Sequence, residues 1–70
     1  SDTKFLVGLG ARIKEIRIKK DMTQNDLAIQ CNFEKASMSR IESGKTNITV
    51  LTLRRISKAL DVDVTEFFKN

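Results

Sequence analysis

The sequence predicts an all-α fold of five short helices in one compact domain spanning residues 1–70. Three observations carry that expectation. Apolar residues recur at three- and four-residue intervals, the period of one helical face. The chain has no proline and only three glycines, too few for the turns of an all-β fold. Residues suited to starting and stopping helices stand at the ends of the periodic segments.

The first helix is predicted from about Lys4 to Lys20, with Leu6, Leu9, Ile13 and Ile16 along one face. Gly8 and Gly10 weaken its opening turns, which moves the expected start toward Leu9. Glu15 and Lys19 form a favourable i,i+4 pair, and Lys19 and Lys20 suit the C-terminal end of the helix dipole. Thr23, with Asp26 three residues on, reads as a capping box for a second helix over 24–31 that buries Leu27, Ala28 and Cys31. A break at Asn32-Phe33 precedes a third helix from about Glu34 to Ser43. Met38 and Ile41 face inward there, and Gly44 is the stop. After the loop from Lys45 to Ile48, Thr49 caps a fourth helix over 50–60, with Val50, Leu53, Ile56 and Leu60 expected on its buried face. Asp63 and Glu66 read as a last capping box, opening a short fifth helix over 64–68. Asp21, Asn32 and Asp61 each follow a predicted helix and are the residues other than glycine that best tolerate a left-handed turn.

Composition removes most chemistry. With no histidine there is no imidazole base, nucleophile partner or metal ligand. The single cysteine, Cys31, can form neither an internal disulfide nor a thiolate cage. It is expected in the core, where burial raises its thiol pKa and makes it inert. No catalytic residue, cofactor, metal or small-molecule ligand is expected. No apolar run approaches a membrane span. No basic segment followed by an apolar one opens the chain, so no signal peptide and a cytoplasmic location are expected. Thirteen Lys+Arg against nine Asp+Glu give +4, which suits a polyanionic partner.

The second and third helices are joined so tightly that they must cross steeply, and Ala28 is a small residue suited to that contact. With Met38 and Ile41 inward, the third helix turns Lys35, Ala36, Ser37, Ser39 and Arg40 outward. That face offers long donors for base edges, hydroxyls for phosphates, and no bulky obstruction.

Three segments in register then resemble phage repressor/Cro-type helix-turn-helix DNA-binding domains. They are Arg12-Ile13-Lys14-Glu15-Ile16-Arg17, Met22-Thr23-Gln24-Asn25-Asp26-Leu27-Ala28 and Met38-Ser39-Arg40-Ile41-Glu42-Ser43-Gly44-Lys45. The likeness continues through Leu53-Arg54-Arg55-Ile56-Ser57-Lys58-Ala59-Leu60-Asp61-Val62 and covers about residues 9–68. It implies a compact repressor-like domain with the helix-turn-helix at about 23–43. Asp21, Asn32 and Asp61 replace the family's usual glycines, Ile48 its usual loop proline, and Glu34 a common serine or threonine cap.

By matching position, the resemblance makes Lys35, Ala36 and Arg40 base-contacting residues, with Arg40 able to take guanine O6 and N7 bidentately. It makes Gln24, Ser37, Ser39, Ser43, Lys45, Asn47 and Thr49 phosphate contacts. Arg17 and Glu42 match a buried ion pair between the first and third helices. Arg12, Lys14, Lys19, Lys20, Arg54, Arg55 and Lys58 read as solvated charges, and Phe5, Phe33 and Phe67 as core. Leu51, Val64 and Phe68 lie off the buried face and suggest a homodimer interface. The function implied is sequence-specific binding of double-stranded DNA by a small transcriptional regulator, most similar in size and C-terminal helical end to restriction–modification controllers. The alternative is a protein-interaction or antitoxin-type module on the same fold, for which an acidic or apolar recognition face would be expected.

Overall fold

The first helix begins earlier than the glycines suggest. In the computed structural model, which describes residues Ser1–Lys69, α1 runs over Asp2–Lys19, and Ser1 caps it by accepting from the Lys4 amide at 3.3 Å. Gly10 is inside α1 for a packing reason. A Cβ on it would stand 2.6 Å from the Glu42 carbonyl oxygen and as tightly against that of Ile41, so glycine lets the two backbones meet.

Three further α-helices follow: α2 over Gln24–Cys31, α3 over Lys35–Glu42 and α4 over Val50–Leu60. Local chemistry sets their ends. The Thr23 hydroxyl accepts from the Asp26 amide and the Asp26 carboxylate accepts from the Thr23 amide, at 3.0 and 2.9 Å, closing the capping box of α2. That backbone hydrogen bond, then the one to the Thr23 hydroxyl, holds the Asp26 carboxyl below its usual range. Thr49 caps α4 through the Thr52 amide at 3.1 Å. Asp21, Asn32 and Asp61 take the left-handed conformation at φ 58, 60 and 56°, and Gly44 stops α3 at φ 74°.

The last element corrects an expectation. Val64–Phe68 is a 3₁₀ turn rather than a fifth α-helix, the form that very short helical pieces adopt. Asp63 accepts from the Thr65 amide and hydroxyl at 2.9 and 2.8 Å. Glu66 pairs with Lys69 and Arg12 instead of reaching back to close a box. No strand occurs among the described residues.

The core is one cluster: Leu9, Ile13 and Ile16 of α1; Leu27, Ala28 and Cys31 of α2; Met38 and Ile41 of α3; Leu53, Ile56 and Leu60 of α4; and Phe67. α3 packs on α1 and α2, α2 also packs on α4, and the 3₁₀ turn closes on α1 and α4. Val50, expected inward, is 81% exposed, because α4 meets the core only from its second turn. Phe33 packs at the core edge, but Phe5 is exposed and stacks on Phe68 with ring centroids 6.4 Å apart. Arg12 is not a free surface cation. Its Nε donates to the Glu66 carbonyl at 2.8 Å and its guanidinium pairs with Glu15, tying the C-terminal turn to α1.

Candidate nucleic-acid interface

The connection between α2 and α3 takes three residues. Asn32 turns left-handed, the Phe33 amide donates to the Ala28 carbonyl at 2.8 Å, and Glu34 enters α3 in extended conformation. This closure holds α3 against α2 and leaves one face of α3 to solvent. Met38, Ile41 and Glu42 are buried beneath it; Lys35, Ala36, Ser39, Arg40 and Ser43 are exposed; Ser37 is half-buried.

Beneath that face lies a buried ion pair. Arg17 of α1 donates to Glu42 of α3 through Nε to Oε2 at 2.7 Å and through Nη2 to Oε1 at 3.0 Å. Its remaining nitrogen, Nη1, donates to the Met22 carbonyl at 2.7 Å, which fixes the chain where it enters α2. The carboxylate accepts a third bond, from Gln24 Nε2 at 3.0 Å. Each member is thus satisfied, as a buried pair requires. One amide hydrogen of Gln24 is spent on Glu42, and the second remains free at the N-terminus of α2, where helix amides also point outward.

The remaining residues flank α3. Ser37 and Arg40 share a shallow pocket with Phe33, Thr46, Asn47, Thr49 and Thr52, so the α3–α4 loop continues the exposed face of α3. Lys45 is exposed in that loop. Among the described residues, Lys35, Arg40 and Lys45 have no ion-pair partner, which leaves their charge available. Two hydroxyls are occupied: Ser43 donates to the Ser39 carbonyl at 2.9 Å, and Thr49 caps α4. Asn47 Oδ1 accepts from the Ile48 amide at 3.1 Å, leaving its amide nitrogen outward-capable.

Leu51, Val64 and Phe68 are exposed. Phe5, which sequence reasoning placed in the core, joins Phe68 beside a groove lined by Leu6, Leu9, Ile48 and Leu53. The helical stripe through Leu6 and Leu9 suggested burial for its neighbours, but α1 outruns the body it packs on. No cluster of three or more metal-ligating side chains occurs among the described residues, and no helix is long and apolar enough to cross a membrane.

Two short helices closed through a three-residue turn, buttressed by α1 and α4 and bearing a polar, cationic outer face, define a helix-turn-helix protein. The model of the helix-turn-helix family matches residues 13–67, and the chain belongs to that family. It is 31% identical over 65 residues to the control protein C.MunI of a Mycoplasma species, covering 91% of this chain and 88% of the relative. Its fold is similar to that of the restriction-modification controller protein C.AhdI from Aeromonas hydrophila, with a TM-score of 0.90 and 28% identity over 93% of this chain and 98% of that one. It is also similar to the controller protein C.Esp1396I, solved as a tetramer in complex with its natural 35 base-pair operator; the TM-score is 0.81 and the identity 40%, over 90% and 83% of the two chains.

Proposed function

We propose that this helix-turn-helix protein is a small transcriptional regulator that binds double-stranded DNA sequence-specifically, with α3 in the major groove. The observation that carries the reading is the outer face of α3, where Lys35 and Arg40 stand unpaired beside Ala36 and Ser39 over a fully satisfied buried network. In this reading Lys35, Ala36 and Arg40 meet base edges. Gln24, Ser37, Ser39, Lys45 and Asn47 meet phosphates, with Ser43 and Thr49 contributing chiefly through the helix ends they stabilise. Gln24 is aimed by Glu42, so the same pair that joins α1 to α3 also sets a phosphate donor.

The acting unit is a homodimer joined through Leu51, Val64 and Phe68, which sets two recognition helices roughly 34 Å apart on a near-palindromic site. Control of a restriction–modification operon is the role that the likeness to C.MunI, C.AhdI and C.Esp1396I supports. Binding, not catalysis, is the activity: cations displace counterions from DNA while α3 reads sequence.

Titration of duplex DNA at several ionic strengths tests this. Affinity is expected to fall by orders of magnitude between about 50 and about 200 mM salt. Arg40→Ala should relax base preference at one position, whereas Lys45→Ala should weaken binding to all sequences alike. Affinity indifferent to salt would overturn the proposal.

A further inference from the structure

Glu34 is the acidic residue that leads into α3, and its charge opposes that of DNA phosphates. It stands at the N-cap of α3 in extended backbone, at φ −74° and ψ 150°, yet its side chain makes no cap hydrogen bond. The other helical segments all begin with a side chain that does cap: Ser1, Thr23, Thr49 and Asp63. Among the described residues the other three glutamates are each ion-paired, Glu15 with Arg12, Glu42 with Arg17 and Glu66 with Lys69. Glu34 has neither an ion pair nor a side-chain hydrogen bond there, and it is exposed.

An unpaired carboxylate at the end of a recognition helix repels phosphate and therefore costs affinity on every sequence. That cost is offset only where the carboxylate meets a hydrogen-bond donor. Base edges in the major groove are mostly acceptors; the donors are the amino groups of cytosine N4 and adenine N6. Lys35, Ser39 and Arg40 can all donate, so they suit the acceptors. Glu34 is the exposed charged acceptor at the N-terminal end of the same helix. Glu34 and Lys35 put an acceptor and a donor at the same end of α3, the two chemistries that cytosine N4 and guanine O6 of one G·C pair call for. Adenine suits less well, because its amino group is flanked by the N7 acceptor, whereas that of cytosine is flanked by a C–H.

We propose that Glu34 is a specificity-determining residue whose carboxylate accepts a hydrogen bond from a base amino group in the major groove, cytosine before adenine. The inference rests on the reading of α3 as the major-groove helix. Its function is discrimination rather than affinity: it rejects sites that present no donor at its position.

The test is selection from a random duplex pool by the wild type, Glu34→Ala, Glu34→Gln and Arg40→Ala, with circular dichroism confirming equal helicity. The wild-type site should contain a cytosine that discriminates by about tenfold over other bases. Glu34→Ala should level that one position, keep the remaining sequence, and bind non-cognate duplex more tightly. Glu34→Gln, which keeps an acceptor oxygen, should retain part of the preference. An adenine at that position, lost in the same way, supports the amino-group reading with the other base. If Glu34→Ala selects the wild-type sequence and only gains affinity on all duplexes alike, the proposal is wrong, while a changed selection by Arg40→Ala leaves the DNA reading standing. If no protein enriches any sequence, the DNA reading fails and this inference with it.

Discussion

Gly10 of α1 lies against the carbonyl of Glu42 at the end of α3, so closely that a Cβ there would stand 2.6 Å from that oxygen. The neighbouring atoms are backbone and cannot swing aside. Gly10→Ala is therefore expected to destabilise the fold by about 1–3 kcal/mol, the cost of overpacking a rigid contact. Gly8, two residues earlier, has nothing within 4 Å of the same position, so Gly8→Ala should stabilise by about 0.5–1 kcal/mol through helix propensity. Urea denaturation of the two variants checks the opposite signs.

The second expectation concerns Arg17 and Glu42. Removing either partner leaves a buried charge with its hydrogen bonds broken, so Arg17→Ala or Glu42→Ala should cost about 3–5 kcal/mol. The pair Arg17→Met with Glu42→Leu should recover most of that loss, since well-packed apolar side chains can replace a buried ion pair. Such a protein would fold but would no longer orient Gln24, whose amide is held by Glu42 at 3.0 Å. Chemical denaturation together with DNA titration separates the two effects.

Acid should weaken the helix ends. Backbone hydrogen bonds from Thr23 and Thr65 hold the carboxyls of Asp26 and Asp63 below their usual range. The unfolded chain then binds protons more readily than the folded one. Their contribution is fully present above about pH 4 and is lost as pH falls through the lower folded values. Melting temperature measured from about pH 5 to about pH 2 should drop less steeply for Asp26→Asn with Asp63→Asn than for the wild type.

Cys31 should resist modification. It is buried between α2 and α4, and burial pushes its thiol up, with Arg55 opposing only in part. Alkylation by iodoacetamide near neutral pH is expected to be slow in the native protein and fast in denaturant. Fast native labelling would contradict the packing described above.

The apolar patch carries the last expectation. Leu51 is 67%, Phe5 60% and Phe68 53% exposed, and Phe5 and Phe68 stack on one another at the surface. If the proposed homodimer forms through this surface, Leu51→Glu with Phe68→Glu should convert it to a monomer in velocity sedimentation and weaken binding to a two-half-site duplex far more than to one half-site. An unchanged sedimentation coefficient would remove these residues from the interface.

The features legible in the sequence were those decided within one turn of the chain. Thr23 with Asp26, Thr49, and the left-handed Asp21, Asn32 and Asp61 each act on a backbone group three or fewer residues away, so a residue type at a position suffices to place a helix end. The stripe Leu9, Ile13 and Ile16 was equally legible, because helical period alone sets which side chains share a face. The family likeness rested on the same local features in register.

What the tertiary structure decided depended on where another element lies. Helical period put Val50 on the same face as Leu53, but α4 touches the core only beyond its first turn, so Val50 is solvated. Phe5 carries a core residue's chemistry at the end of a helix that extends past its support. Arg12 looks like any surface cation until the 3₁₀ turn brings the Glu66 carbonyl to it, 54 residues along the chain. Gly10 looks like a weak point in a helix until α3 crosses it. Sequence by itself determined the helices, their caps and the chemistry each one carries. Which faces are covered, and which charges are spent on the protein rather than left for DNA, followed only from contacts between helices, because burial is a property of neighbours that no single segment contains.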